Sequence, residues 1–178
     1  MDEVARVVST AFTVSNDLRH DTRVTVLFTA EPAPRARRID VDGARVRYLN
    51  PDERSTAALL KNALVRSARS ETKVDSSPGI SVGPVDPQAA VREFAAEVGT
   101  CWLAEDGTPI ADWSPAGDGF GAVLSDASDP SEEELRWLTE TRIPRISLGR
   151  RALRASQCVD ILHHEFDLRE EAKPARAP

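Results

Sequence analysis

Two short stretches and one run of arginines hold the residue types able to do chemistry. Ser125-Asp126 follows the apolar run Gly121 to Leu124, and Ser147-Leu148-Gly149 ends the apolar run that starts at Ile143. Both read as turns beyond the carboxyl ends of buried strands. That is where open α/β sheets bind ligands, and Ser and Gly there let backbone amides approach a bound molecule. An ordinary strand-to-loop turn has the same composition, so the pattern leaves both readings open. Arg142, Arg145, Arg150, Arg151 and Arg154 bracket the second stretch. Five cations in 13 residues suit a phosphate-bearing partner, and equally a solvated charged loop.

Other familiar chemistries are missing. His163 and Asp167 stand one helical turn apart, but two ligands on one helix do not make a metal site, and no metal is expected. The chain has no GxGxxG, P-loop, GxSxG or HExxH motif. Its two cysteines, Cys101 and Cys158, form neither a disulfide framework nor a CxxC pair.

The elements that must position these residues follow an α/β pattern. Val4, Val7, Val8, Ala11 and Phe12 recur at helical spacing, and Val24 to Phe28 reads as a buried strand. Arg37 to Asp42 and Ala44 to Leu49 read as two strands of a hairpin turned at Asp42-Gly43. Asn50-Pro51 reads as a helix start, and the helix should run through Leu60 and Leu64 to Ser67. After Ser76-Ser-Pro-Gly79 comes a strand at Ile80 to Val82, then a helix from Asp86-Pro87 through Phe94. Thr100 to Leu103, Gly121 to Leu124 and Ile143 to Leu148 are three further strands. Asp129-Pro130 caps an acidic-fronted helix with Leu135 and Leu138 inside. A last amphipathic helix carries Cys158, Ile161, Leu162 and Phe166. A single domain over residues 1–169 is expected, with a disordered tail over 170–178.

Composition sets outer limits. The 178 residues are 40% hydrophobic and 29% charged, which fits one folded domain and excludes wholesale disorder. No apolar run reaches the length of a membrane span, and the acidic start lacks the plan of a signal peptide, so a cytoplasmic protein is expected. A net charge of −6 argues against coating nucleic acid by bulk attraction, while leaving room for the local arginine patch.

Taken in order, these pieces resemble the TrmY family of SPOUT-class methyltransferases. The resemblance runs from Asp2 to about Asp167. It rests on Ala11-Phe12 with Ser15, Leu18-Arg19 and Asp21; on Asn50-Pro-Asp-Glu-Arg54; on Ser77-Pro-Gly-Ile80; on Leu124-Ser-Asp126; on Ile146-Ser-Leu148; and on Leu153, Ala155, Cys158 and His163. Single pieces are common turns, but six in register are a specific signal.

The resemblance implies an α/β SPOUT fold with a C-terminal deep trefoil knot, a homodimer, and S-adenosylmethionine as cofactor. It implies methylation of N1 of pseudouridine 54 in the T loop of tRNA. The cofactor would be held by Leu148, Gly149, Arg150, Arg151, Ala152 and Leu153, with Leu103, Ser125 and Cys158 around them, and Cys158 would not act as a nucleophile. Asp2 and Asp126 would assist proton removal, with Asp21 a third carboxylate of the same kind. Arg6, Arg19, Arg54, Arg142, Arg145 and Arg154 would meet RNA. Two alternatives stand beside this reading: another pseudouridine-bearing RNA as substrate, and a knotted binding module without catalysis. Family members begin a few tens of residues earlier with an additional strand. Where the family has a Leu before the Asp2 position this chain has Met1, and a bare sheet edge is therefore expected. Ala127, Arg150 and His164 stand where the family usually has His, Pro and Asn.

Overall fold

Alternating apolar residues build the first sheet. In a computed structural model describing residues 1–29, 36–97, 99–117, 119–126 and 128–172, strands β1 (Arg23–Phe28), β2 (Arg37–Asp42), β3 (Val74–Ser77) and β4 (Ile80–Pro84) pair antiparallel in the order β1-β2-β4-β3. The register lines up Val26, Ile39, Val82 and Val74 in one row and Val24, Val41 and Ile80 in the next. Side chains alternate across a strand, so both rows share one face, and Ile39, Val41, Ile80 and Val82 are buried there.

Ala44 to Leu49 is not a strand. Both edges of β2 are taken by β1 and β4 along the same residues, so no edge is left for a hairpin partner. The Asp42 carbonyl instead accepts from the amides of Arg45 (3.1 Å) and Val46 (2.7 Å), coiling the chain so that Val46 and Leu49 drop into the core.

Helices cover the apolar face. Helix α1 (Asp2–Phe12) packs against α2 (Glu53–Ser67) and α5 (Ala155–Glu171), burying Ala5, Val8, Ala11 and Phe12. Asp52, not Asn50, caps α2, its carboxylate accepting from the Ser55 amide at 2.8 Å. Asp86 caps α3 (Pro87–Ala95). Ser131, not Asp129, caps α4 (Glu132–Thr141) in a reciprocal capping box: its hydroxyl accepts from the Glu134 amide at 3.2 Å, and the Glu134 carboxylate accepts from the Ser131 amide at 2.8 Å. Helix α5 runs on to Glu171, past the expected start of the tail; residues 173–178 lie outside the described residues.

The second sheet is parallel. Strands β5 (Thr100–Pro109), β6 (Gly121–Val123) and β7 (Arg145–Ser147) lie in the order β6-β5-β7. β5 is longer than the expected Thr100 to Leu103, and its extension matters: Ile146 pairs with both Leu103 and Thr108. The register of β5 against β7 therefore shifts between Leu103 and Thr108. At Gly107 a Cβ would come within 2.6 Å of the Arg145 carbonyl carbon, an approach that only glycine allows.

A cleft of about 1640 Å³ separates the two sheets. The outer edges of β1 and β6 both line it, with Val4 and Val7 of α1 and Leu162 and Phe166 of α5. Neither edge has a strand partner among the described residues. Phe120 stacks on Phe166 at a centroid distance of 3.5 Å, and Trp113 meets Phe166 edge-on at 6.0 Å. No helix among the described residues is long and apolar enough to cross a membrane.

Candidate active site

Because β5, β6 and β7 are parallel, their carboxyl ends share one margin of the sheet. Ser125 follows β6 and lines the cleft, the segment from Leu148 to Leu153 follows β7, and Leu103 lies within β5 beside Ile146; neither Leu103 nor that segment is in the cleft lining. Leu103 and Leu148 pack on the same buried cluster of Cys101, Ile110, Ile146 and Leu162, forming an apolar wall. Ser147 ties the loop to that wall. Its hydroxyl donates to the carbonyl of Glu105 (3.0 Å), lies 3.2 Å from that of Gly149, and accepts from the Gly149 amide (3.1 Å). Gly149 has φ 129°, a conformation costly for any side chain, and no atom within 4 Å of where a Cβ would stand.

Beyond Gly149 the loop is open. The amides of Arg150, Arg151, Ala152 and Leu153 have no hydrogen-bond partner among the described residues, and Arg150, Arg151 and Ala152 are exposed. Free amides over an apolar wall suit a ligand with a flat apolar portion and polar edges. Arg154 then begins α5, its amide donating to the Gln157 side chain at 3.0 Å. Cys158 follows on the first turn, half-buried, and burial pushes its thiol up, with the Glu3 charge adding to the effect. Cys101, deeper, is pushed up to about 12 by burial. Both thiols stay protonated at neutral pH, a poor state for nucleophilic attack.

The three carboxylates are dispersed. Asp21 and Asp126 lie on the wall of the cleft, whereas Asp2 opens α1 outside that lining. Asp126 sits just past β6, where its carboxylate accepts from the Ser128 amide at 3.0 Å.

The arginines divide into engaged and free. Arg6 bridges Glu3 (2.9 Å) and Glu53 (2.7 Å). Arg19 grips Asp167 through two bonds of 2.9 and 2.5 Å, and Arg145 pairs with Asp106 while lying 4.8 Å over the Trp102 ring. Arg54, Arg142, Arg150, Arg151 and Arg154 form no ion pair among the described residues, and all five are exposed. Glu3 lies one helical turn from Arg6 on α1, but nothing in the local sequence reveals the partners Glu53, Asp106 and Asp167, because tertiary packing alone brings them near.

His163 faces inward. Burial and the nearby Arg19 charge push its pKa down, and its Nε2 meets the Ala11 carbonyl at 3.1 Å. No group of three metal-ligating side chains occurs among the described residues.

Comparison with known proteins gives this arrangement its context. Residues 1–171 match the family described as "Putative SAM-dependent RNA methyltransferase". The tRNA (pseudouridine(54)-N(1))-methyltransferase of Methanococcoides burtonii is 35% identical over 168 residues, covering 94% of this chain and 82% of that protein. Those of Haloferax volcanii and Methanosarcina mazei are 34% and 32% identical, over 94% and 100% of this chain and 82% of each relative. Among solved structures, Archaeoglobus fulgidus Nep1 bound to S-adenosylhomocysteine superposes with a TM-score of 0.63 at 16% identity, covering 96% of this chain and 71% of that one. The α/β fold is thus shared with Nep1, and by sequence the chain belongs to the TrmY family of S-adenosylmethionine-dependent RNA methyltransferases.

Proposed function

We propose that this protein methylates N1 of pseudouridine 54 in the T loop of tRNA, with S-adenosylmethionine as the methyl donor. Near-full-length identity of 32–35% to enzymes named for that reaction is the observation that carries the reading. The residues present fit the cofactor: Leu103 and Leu148 offer an apolar wall for adenine, and the unpaired amides of Arg150 to Leu153 offer donors to its polar atoms. Ser125 and Cys158 complete the set by the family resemblance. When bound, the cofactor supplies an electrophilic methyl group on a sulfonium.

The protein's own part is alignment and proton handling. N1 of pseudouridine is an imide nitrogen that carries a proton, whereas N1 of uridine is already bonded to ribose. The base must therefore be held with N1 facing the methyl group while a carboxylate takes the proton. Asp126 and Asp21, both on the cleft wall, are the carboxylates proposed for that role, with Asp2 as the family motif's own aspartate. Arg54, Arg142 and Arg154 are free to meet tRNA phosphates; Arg6, Arg19 and Arg145 would have to trade a carboxylate for one.

The enzyme is a single domain that works as a homodimer in the cytoplasm and folds with a C-terminal trefoil knot. The family resemblance supports the dimer. The same resemblance, carried by the match over residues 1–171, supports the knot.

The test uses paired tRNA substrates carrying uridine or pseudouridine at position 54, incubated with S-adenosylmethionine, digested and read by mass spectrometry. N1-methylpseudouridine from the pseudouridine substrate alone is expected. Product from neither would overturn the substrate assignment.

A further inference from the structure

One carboxylate that the reaction does not use lies against the candidate cofactor loop. Glu3, on the first turn of α1, is largely enclosed, with its side chain 14% exposed. One of its oxygens accepts from both the backbone amide and the hydroxyl of Ser156, each at 2.9 Å. The other accepts from Arg6 at 2.9 Å, and Arg6 reaches on to Glu53 of α2 at 2.7 Å. Burial alone would push this carboxyl up, but the Ser156 bonds, with Arg6 and Arg154 nearby, hold it below the usual carboxylate range.

Ser156 lies in the first turn of α5, where backbone amides have no partner within the helix. Such an amide is normally capped by a neighbour in sequence. Here the cap comes from 153 residues away, on a different helix. The loop from Leu148 to Arg154 is therefore pinned at both ends: at Ser147 by its bonds to Glu105 and Gly149, and at Ser156 by Glu3. Between the pins, the amides of Arg150 to Leu153 have no partner among the described residues. Their position is set by the two anchors.

We infer that Glu3 is a positioning residue for cofactor binding: its carboxylate holds the start of α5 and so fixes the far end of the Leu148 to Arg154 loop. The inference rests on the methyltransferase reading, and it adds a residue outside the pocket. The α1–α2–α5 assembly thereby sets the shape of a loop in the parallel sheet.

The experiment measures S-adenosylhomocysteine binding by calorimetry, steady-state kinetics, and amide hydrogen exchange across residues 148–154 without ligand. Removing hydrogen bonds to a charged acceptor predicts that Glu3→Ala weakens binding about tenfold, with a like rise in KM for S-adenosylmethionine. kcat at saturating cofactor should stay close to wild type, and loop exchange should speed up. Glu3→Gln keeps an oxygen for Ser156 and should restore most of the affinity. Ser156→Ala, which removes one of the two donors, should weaken binding less and in the same direction. A folded Glu3→Ala protein with unchanged cofactor affinity, or with equal losses in kcat and none in KM, overturns the inference. If Glu3→Ala does not fold, wild-type affinity and loop exchange in Ser156→Ala do the same. Wild-type protein that binds no S-adenosylhomocysteine overturns the function and this inference together, whereas normal wild-type binding with unchanged variants overturns this inference alone.

Discussion

At the scale of single residues, the open question is which carboxylate takes the proton from N1. Asp126 lies just past β6 with one backbone bond to Ser128, and Asp21 lies on the same cleft wall. A positioned general base is worth about 10²–10⁴ in rate. Replacement of Asp126, Asp21 and Asp2 by Ala, one at a time, should lower kcat by about a hundredfold or more in one variant, while S-adenosylhomocysteine binding is kept. Full activity in all three, measured by methyl transfer to the pseudouridine substrate, would remove the carboxylate from the mechanism. Two glycines act at the same scale by having no side chain. Gly107 lets β5 pass against the backbone of β7, and Gly149 turns the loop at φ 129°.

At the scale of elements, the loop between β7 and α5 presents the free positive charge. Arg142 and Arg154, on either side of β7 and that loop, are exposed and form no ion pair among the described residues, whereas Arg145 is tied to Asp106 and Trp102. Phosphate binding by a cation releases condensed counterions, so each lost contact flattens the dependence of log K on log salt by about 0.7–0.9. Titrating tRNA at several salt concentrations with Arg142→Ala and Arg154→Ala should show that flattening. An unchanged slope would place the tRNA elsewhere. Arg6→Ala would be a poor probe, because it also strips a partner from Glu3 and Glu53. Helix starts show the same division between local and distant cause: Ser131 and Asp86 cap from within their own sequence, but the Ser156 amide is capped from α1.

At the scale of the whole molecule, the cleft between β1 and β6 dominates. Two unpaired strand edges line a single space of about 1640 Å³, with apolar side chains from α1 and α5 around it. An extended segment bonded to both edges would join the four-stranded and three-stranded sheets into one and satisfy amides otherwise left to water. Fusing an apolar strand ahead of Met1, which itself lines the cleft, should slow hydrogen exchange along β1 and β6. It should also raise Tm by about 2–4 °C for each net kcal/mol gained at this size. A scrambled polar segment of equal length should do neither. Equal exchange rates in the two fusions would mean that the edges are not bridged.

The sequence by itself determined the existence and type of nearly every element, because burial imposes a period of two on strands and about 3.6 on helices. It also determined the family, since turn residues such as Asn50-Pro-Asp-Glu-Arg54 and Ile146-Ser-Leu148 keep their order and spacing. Boundaries set by local bonding were less legible. Asp52 displaced Asn50 as cap, and Ser131 displaced Asp129, because side-chain reach to a particular amide decides a cap. What tertiary structure alone decided was pairing at a distance. Both edges of β2 were already filled, so Ala44 to Leu49 could not be a strand. Packing also consumed Arg6, Arg19 and Arg145 in ion pairs, and it brought Glu3 to the loop 153 residues away. Hydrogen-bonding edges and charges are each satisfied once, and only the folded chain shows by whom.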